Sequence, residues 1–287
     1  MPFFNPLKLS MTAVAGLIWV PVAGQAQTLP AAPAVSENGP TYADLATLSE
    51  ASELVIRVQI RAATALKPER APGLAPGFAR LYVEAQTVAL IAGRSSIGGA
   101  LNYVVDVPLD AKGKVPKLKK REFLLFARAV PGRAGSVQLV SKQGQLDYSP
   151  ALEARLRPIL TELYGPDVPP RITGISDALA VPGTLVGESE TQIFLATETR
   201  APVAITILRR PGQAPQWGVS WGEIIDSSAR APSPETLRWY RLACSLPDQL
   251  PSSANLARES DERRLAAGDY AFVRAALGAC ERRITQG

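Results

Sequence analysis

Apolar and polar positions alternate with a period of two along "ELVIRVQIRA". Leu54, Ile56, Val58 and Ile60 fall on one side, with Val55, Arg57, Gln59 and Arg61 on the other. A period of two places one side of a strand inward and the other in water. The pattern recurs in "ARLYVEAQT", where Leu81, Val83 and Ala85 oppose Arg80, Tyr82, Glu84 and Gln86, and in "NYVVDV", with Tyr103, Val105 and Val107 on one side. "EFLLFARA" is apolar at every position from Phe123 to Ala127, as expected of a strand covered on both faces, and "SVQLVS" closes the series. Gly- and Pro-rich stretches and a lysine-rich segment separate these five strands. So many short strands predict a small closed barrel, because closure removes exposed edges.

Helical signals flank the strands. "TYADLATLSEAS" opens on Thr41 as an N-cap with Asp44 three residues on and Leu45 and Leu48 on one face, which predicts a short helix. In "SPALEARLRPILTELYG" Ser149 is the N-cap and Pro150 the first helical residue. Leu152, Leu156, Ile159, Leu160 and Leu163 form the stripe, and Pro158 is expected to kink or shorten the helix. "GPDVPPR", Gly165 to Arg171, packs a helix-ending Gly and three prolines together and reads as a domain boundary. Beyond it "TQIFLATE", "APVAITILRR" and "QWGVSWGEI" read as three antiparallel strands, and "SPETLRWYRLAC" and "DERRLAAGDYAFVRAALGAC" as two closing helices. The expected fold class is mainly β with α: a five-stranded barrel domain over residues 41–165, then a small α+β domain over 166–287.

The run of helix, "ELVIRVQI" strand, long second strand and "KKREFLLFARAVPGRAGSVQLV" resembles the oligonucleotide/oligosaccharide-binding barrel of the netrin and metalloproteinase-inhibitor type, over Glu53 to Ser141. Those inhibitors use an N-terminal Cys-x-Cys. This chain has no cysteine in its first half, so inhibition by that route is not implied. The complete chain, including "PGTLVGESETQIFL" and "LRRPGQAPQWGVS", also resembles exported proteobacterial proteins of no assigned activity, a likeness that implies a location and no mechanism. In the barrel, ligands are expected on the second and third strands and on the loops joining strands 1 to 2 and 4 to 5. Here those positions are Lys67, Arg70, Arg80, Tyr82 and Arg133.

The N-terminus "MPFFNPLKLSMTAVAGLIWVPVAGQAQT" has a cation at Lys8, an apolar run from Met11 to Ala23, and small residues to Ala26. This is the layout of a signal peptide over residues 1–26, followed by a Pro- and Ala-rich flexible leader over 27–40. A periplasmic or secreted protein with no membrane span after cleavage is expected. Charge is uneven: residues 41–165 carry 17 basic and 11 acidic side chains, whereas residues 166–287 carry 13 and 14. An anionic partner is therefore to be sought in the first half. The chain has no histidine, so Ser-His-Asp and Cys-His catalysis and imidazole-bound zinc are excluded. It has no P-loop and no Gly-x-Gly-x-x-Gly, and no metal or cofactor is expected.

Three groups of residues remain as candidates. Lys112, Lys114, Lys117, Lys119, Lys120 and Arg121 put six cations into ten positions immediately before the most apolar strand. They are either gatekeepers against aggregation or a docking surface for an anionic envelope surface. Nucleic acid is not expected, because the segment has no interleaved aromatic residue for base stacking. Cys244 and Cys280, the only two cysteines, are in register with the apolar stripes of the closing helices and predict a structural disulfide. Glu188 and Glu190, with Glu223 and Asp226, are the carboxylates that could converge beside Trp217 or Trp221, as a glycan hydrolase requires. The leading expectation is a non-catalytic binding or scaffold protein of the cell envelope. The alternative is a carboxylate-dependent glycan hydrolase.

Overall fold

Thr41 and Asp44 cap each other: the Asp44 amide donates to the Thr41 hydroxyl oxygen at 3.1 Å, and the Thr41 amide donates to the Asp44 carboxylate at 2.9 Å. Helix α1 (Tyr42–Ala51) starts there, as the sequence pattern predicts. The computed structural model describes residues 1, 39–93, 95–224 and 229–285. The expected signal, the leader up to residue 38 and Asp226 lie outside the described residues.

The first sheet comprises β1 (Leu54–Ala65), β2 (Phe78–Gly93), β3 (Ala100–Pro108), β4 (Glu122–Ala129), β5 (Val137–Leu139) and β6 (Gln145–Asp147). Its order is β3-β2-β1-β4-β5, with β6 also on β4. The five expected strands are present and a short sixth joins them. No closed barrel is found among the described residues. The free edge of β4 is divided, Ala127 to Ala129 pairing with β5 and Phe123 to Leu125 with β6. Neither short strand is long enough to form a ladder with β3, which meets this end of the sheet in one isolated parallel bridge, Asn102 with Ser136.

Two apolar clusters explain the patterns of β1 and β4. Leu54, Ile56, Val58 and Ile60 join Leu81, Val83, Ala85, Tyr103, Val105, Val107, Phe123, Leu125 and Ala127 inside the curl of the sheet. Leu124 and Phe126 point the opposite way, into a second cluster with Leu45 and Leu48 of α1 and with Leu156 and Ile159 of α2 (Pro150–Tyr164). This is why β4 is apolar at consecutive positions: a helical layer covers the face that β1 largely leaves polar. Ser149 caps α2 as expected, accepting from the Leu152 amide at 3.1 Å. Pro158 does not shorten α2, which runs on to Tyr164. Pro158 and Ala154, whose carbonyl loses its helical donor, are both exposed, so water can serve that carbonyl.

The second sheet is an antiparallel meander in the order β10-β9-β8-β7: β7 (Ile172–Pro182), β8 (Ser189–Thr197), β9 (Val203–Arg209) and β10 (Gln216–Ser220). Three of these strands match the expected ones. β7 was not expected, because register shifts at Ile172/Gly174 and Ile175/Asp177 break its alternation. Helix α4 (Ser260–Leu277) packs on β7 and β8, and α3 (Leu237–Ala243) on α1, α2 and α4. Residues Ser36–Gly287 make one compact unit. The 165–171 segment separates the two sheets, while α1, α2 and the second sheet contribute to a single apolar cluster.

Cys244 and Cys280 are bonded, with Cα atoms 5.1 Å apart and a separation of 36 in sequence. Cys280 lies beyond the helix rather than on it. Gly278, at φ 73°, ends α4 and turns the chain so that Cys280 meets Cys244 at the end of α3.

Candidate functional site

A cavity lies where the first sheet fails to close, in the basic half of the molecule. Three polar contacts bring β3 to the far end of the sheet. The Asn102 amide donates to the Gly135 carbonyl at 2.7 Å, the Ser136 hydroxyl to Asn102 Oδ1 at 2.9 Å, and the Tyr103 hydroxyl to Gln145 Oε1 at 2.5 Å. Burial of the Tyr103 phenol pushes its pKa up. Beyond Tyr103 no strand among the described residues pairs with the outer edge of β3. There a cavity of about 610 Å³ opens over Val105, Val107 and Phe123.

The lysine-rich segment forms one wall. It is not helical, in keeping with Gly113, at φ 70°, and Pro116. Asp110 Oδ1 accepts from the amides of Lys112 and Lys114, both at 2.9 Å, and the Asp110 amide donates to the Lys114 carbonyl at 2.8 Å. At the other end the Lys120 amide donates to the Ile60 carbonyl, and the Ile60 amide to the Arg121 carbonyl, each at 2.9 Å. Leu118, the one leucine among the lysines, is buried in the apolar cluster inside the sheet. Buried Leu118 and these backbone bonds hold the segment in one shape, with Lys112, Lys114, Lys117, Lys119, Lys120 and Arg121 exposed.

The charges of the rim do not cancel. Asp106 is bonded by Arg80 through Nε at 2.6 Å and through the second guanidinium nitrogen at 2.8 Å, and that hydrogen bond holds its carboxyl below the usual range. Asp147 pairs with Arg121, and Asp110 is taken by backbone amides. Lys142, also on the rim, and the five loop lysines have no carboxylate within ion-pair distance among the described residues. Each acid near the cavity thus has its partner, and the surplus charge is positive.

The residues expected to bind on the barrel surface are less convergent. Lys67 and Arg70 are exposed in the β1–β2 loop, and Arg80 reaches it by donating to the Pro72 carbonyl at 3.0 Å. Tyr82 is exposed opposite Val104, making a small apolar patch on the outer side of β2 and β3. Arg133 sits in the turn between β4 and β5 and shares no described hydrogen bond with the other four. Local sequence did not single out Phe78, Leu109, Lys142, Leu146 or Ile284, which line the cavity with Arg121. They come from four separate segments of the chain.

Among the described residues, Glu223 lines a different groove from Glu188 and Glu190. Glu188 and Glu190 line a groove of about 670 Å³ at the β7–β8 turn. Glu188 accepts from the Leu185 amide at 3.3 Å, and Glu190 from Gln192 Nε2 at 2.8 Å. Glu223 lies beside Phe194 and Ala196, near the other end of β8. Glu190 and Ala196 are six strand residues apart, roughly 20 Å at about 3.3 Å each, so the two grooves open toward opposite ends of β8. The two carboxyls of a glycosidase stand about 5–9.5 Å apart. Trp217 is on β10, two strands from Glu190, and Trp221 lies under Arg238 at 5.8 Å. Behind β8, fully buried Asp269 accepts from Thr191 and, at 2.6 Å, from Arg209, a pairing that joins α4 to the sheet. Among the described residues no group of three or more His, Cys, Asp or Glu is placed to hold a metal ion, and no helix is long and apolar enough to cross a membrane. No protein-family model and no curated protein matches the chain.

Proposed function

We propose that this is an exported, non-catalytic binding protein of the cell envelope, and that the lysine-rich loop is its contact surface for anionic, phosphate-bearing headgroups. The observation that carries the reading is the anchored loop. Leu118 and the backbone bonds to Ile60 and Asp110 fix a segment whose five lysines are exposed and unpaired with any described carboxylate. A loop serving only to keep a strand soluble has no need of a fixed shape. Each cation held near an anionic membrane contributes about 1 kcal/mol. The Cys244–Cys280 bond supports an oxidising compartment. We read the curled first sheet as an opened form of the oligonucleotide/oligosaccharide-binding barrel. Its strand order, the parallel bridge between β3 and the start of β5, and the contact of α1 with α2 support that reading.

The test replaces Lys112, Lys114, Lys117, Lys119 and Lys120 with Gln and measures sedimentation with vesicles of anionic or neutral phospholipid. The expected result is a large, salt-sensitive loss of binding to anionic vesicles with an unchanged Tm. Unaltered vesicle binding, or increased aggregation alone, overturns the docking role and leaves the lysines as gatekeepers of β4.

A further inference from the structure

We infer that the cavity at the unclosed edge of β3 is a binding site for a single-chain amphipathic anion, its alkyl chain lying over Val107 and Phe123 and its headgroup at Arg121 and Lys142. The inference rests on the reading of the basic loop as an anion-facing surface and adds the chemistry of the occupant.

Three observations carry it. The first is the floor. β2 pairs with β3 along its whole length, but beyond Tyr103 no strand among the described residues pairs with the other edge of β3, so the inner-face residues Val105 and Val107 have a strand on one side only. Side chains from distant segments cover them instead. Leu109, Leu146 and Ile284 are half-buried, and Phe78 at the mouth is 41% exposed, so apolar surface remains open to a ligand. The second is size. At about 610 Å³ the cavity falls within the roughly 300–1,000 Å³ of small-molecule sites. The third is charge complementarity at the rim. Asp106, Asp110 and Asp147 are each engaged by Arg80, by backbone amides and by Arg121, while Lys142 has no described ion-pair partner and the loop lysines stand alongside. A wholly polar anion would leave the apolar floor unused, and a neutral alkyl compound would leave the cations unpaired.

The probe is dodecyl phosphate kept below its micellar concentration, titrated calorimetrically into the purified protein. Saturable binding at one site is expected, with dodecyl maltoside at least tenfold weaker and no displacement by inorganic phosphate in tenfold excess. Leu109→Trp, which places a large ring in the half-buried lining, lowers affinity at least tenfold. Lys142→Glu, on the exposed rim, lowers it about fivefold and serves as the readout if the tryptophan variant fails to fold. Equal binding of the two dodecyl compounds, displacement by inorganic phosphate, or unchanged affinity in Lys142→Glu overturns the assignment. Wild-type protein that sediments with anionic vesicles but does not bind dodecyl phosphate overturns the cavity site alone. Protein that binds dodecyl phosphate but ignores vesicles overturns the docking surface alone.

Discussion

Asp44 shows how much one carboxylate organises. It is fully buried, caps α1 through Thr41, and accepts from the amides of Arg283, Ile284 and Thr285 at 3.0, 3.2 and 2.9 Å and from the Thr285 hydroxyl at 2.6 Å. It thereby holds the segment that delivers Ile284 to the cavity. Burial opposes its ionisation, but the hydrogen bonds from Thr285, Thr41 and Arg283 outweigh that effect and hold its pKa at about 2, against 3.8 for an ordinary aspartate. Because the folded pKa is the lower one, the resulting stability is present above pH 3.8 and is lost as pH falls through 2. The shift corresponds to about 2 kcal/mol. Asp44→Asn, whose amide group must turn a donor toward donors, is expected to lose at least about that much at pH 7. Urea unfolding of the two proteins at a series of pH values checks this, and the gap should narrow toward pH 2. The capping role of Asp44 was legible from Thr41 and the three-residue spacing. Its four bonds to the far end of the chain were not, since nothing in "TYAD" refers to "RIT".

Among the elements, the lysine-rich loop carries a backbone feature that its sequence does not advertise. Lys120 has φ 69°, a left-handed conformation that costs an L-residue about 1–2 kcal/mol. It is held there because its amide must reach Ile60 while β4 begins only two residues on, at Glu122. Lys120→Gly relieves that strain and is expected to raise the Tm slightly while lowering binding to anionic vesicles by no more than one lysine's share. A fall in Tm would show that the conformation is not strained. β3, before this loop, was predictable from alternation because one uniformly apolar side faces the interior of the curl, and β4, after it, from an unbroken apolar run because both of its faces are covered. β7 was not, because its two register shifts turn successive side chains out of phase and leave Leu179 and Val181 exposed. Similarly, Pro158 signalled a break in α2 that did not occur, since its exposed position leaves water to compensate for the lost bond.

On the scale of the whole molecule, the disulfide closes the chain's last segment onto α3. A loop of this length loses enough unfolded-state freedom to be worth about 3–4 kcal/mol. Cys244→Ser with Cys280→Ser is expected to lower stability by about that amount, read as the urea midpoint, and thiol titration of the denatured, unreduced protein should find no free thiol. The pairing was readable in advance because a chain with two cysteines has one possible internal bond. Periodicity likewise assigned most strands and helices, and the absence of histidine removed whole classes of chemistry, because these are properties of residue type and spacing. The unclosed edge of β3, the cavity beside it and the separation of Glu190 from Glu223 were not readable from those properties. They depend on how β5 and β6 divide the edge of β4 and on which end of β8 each loop reaches, and such pairings are settled by contacts between residues far apart in the chain.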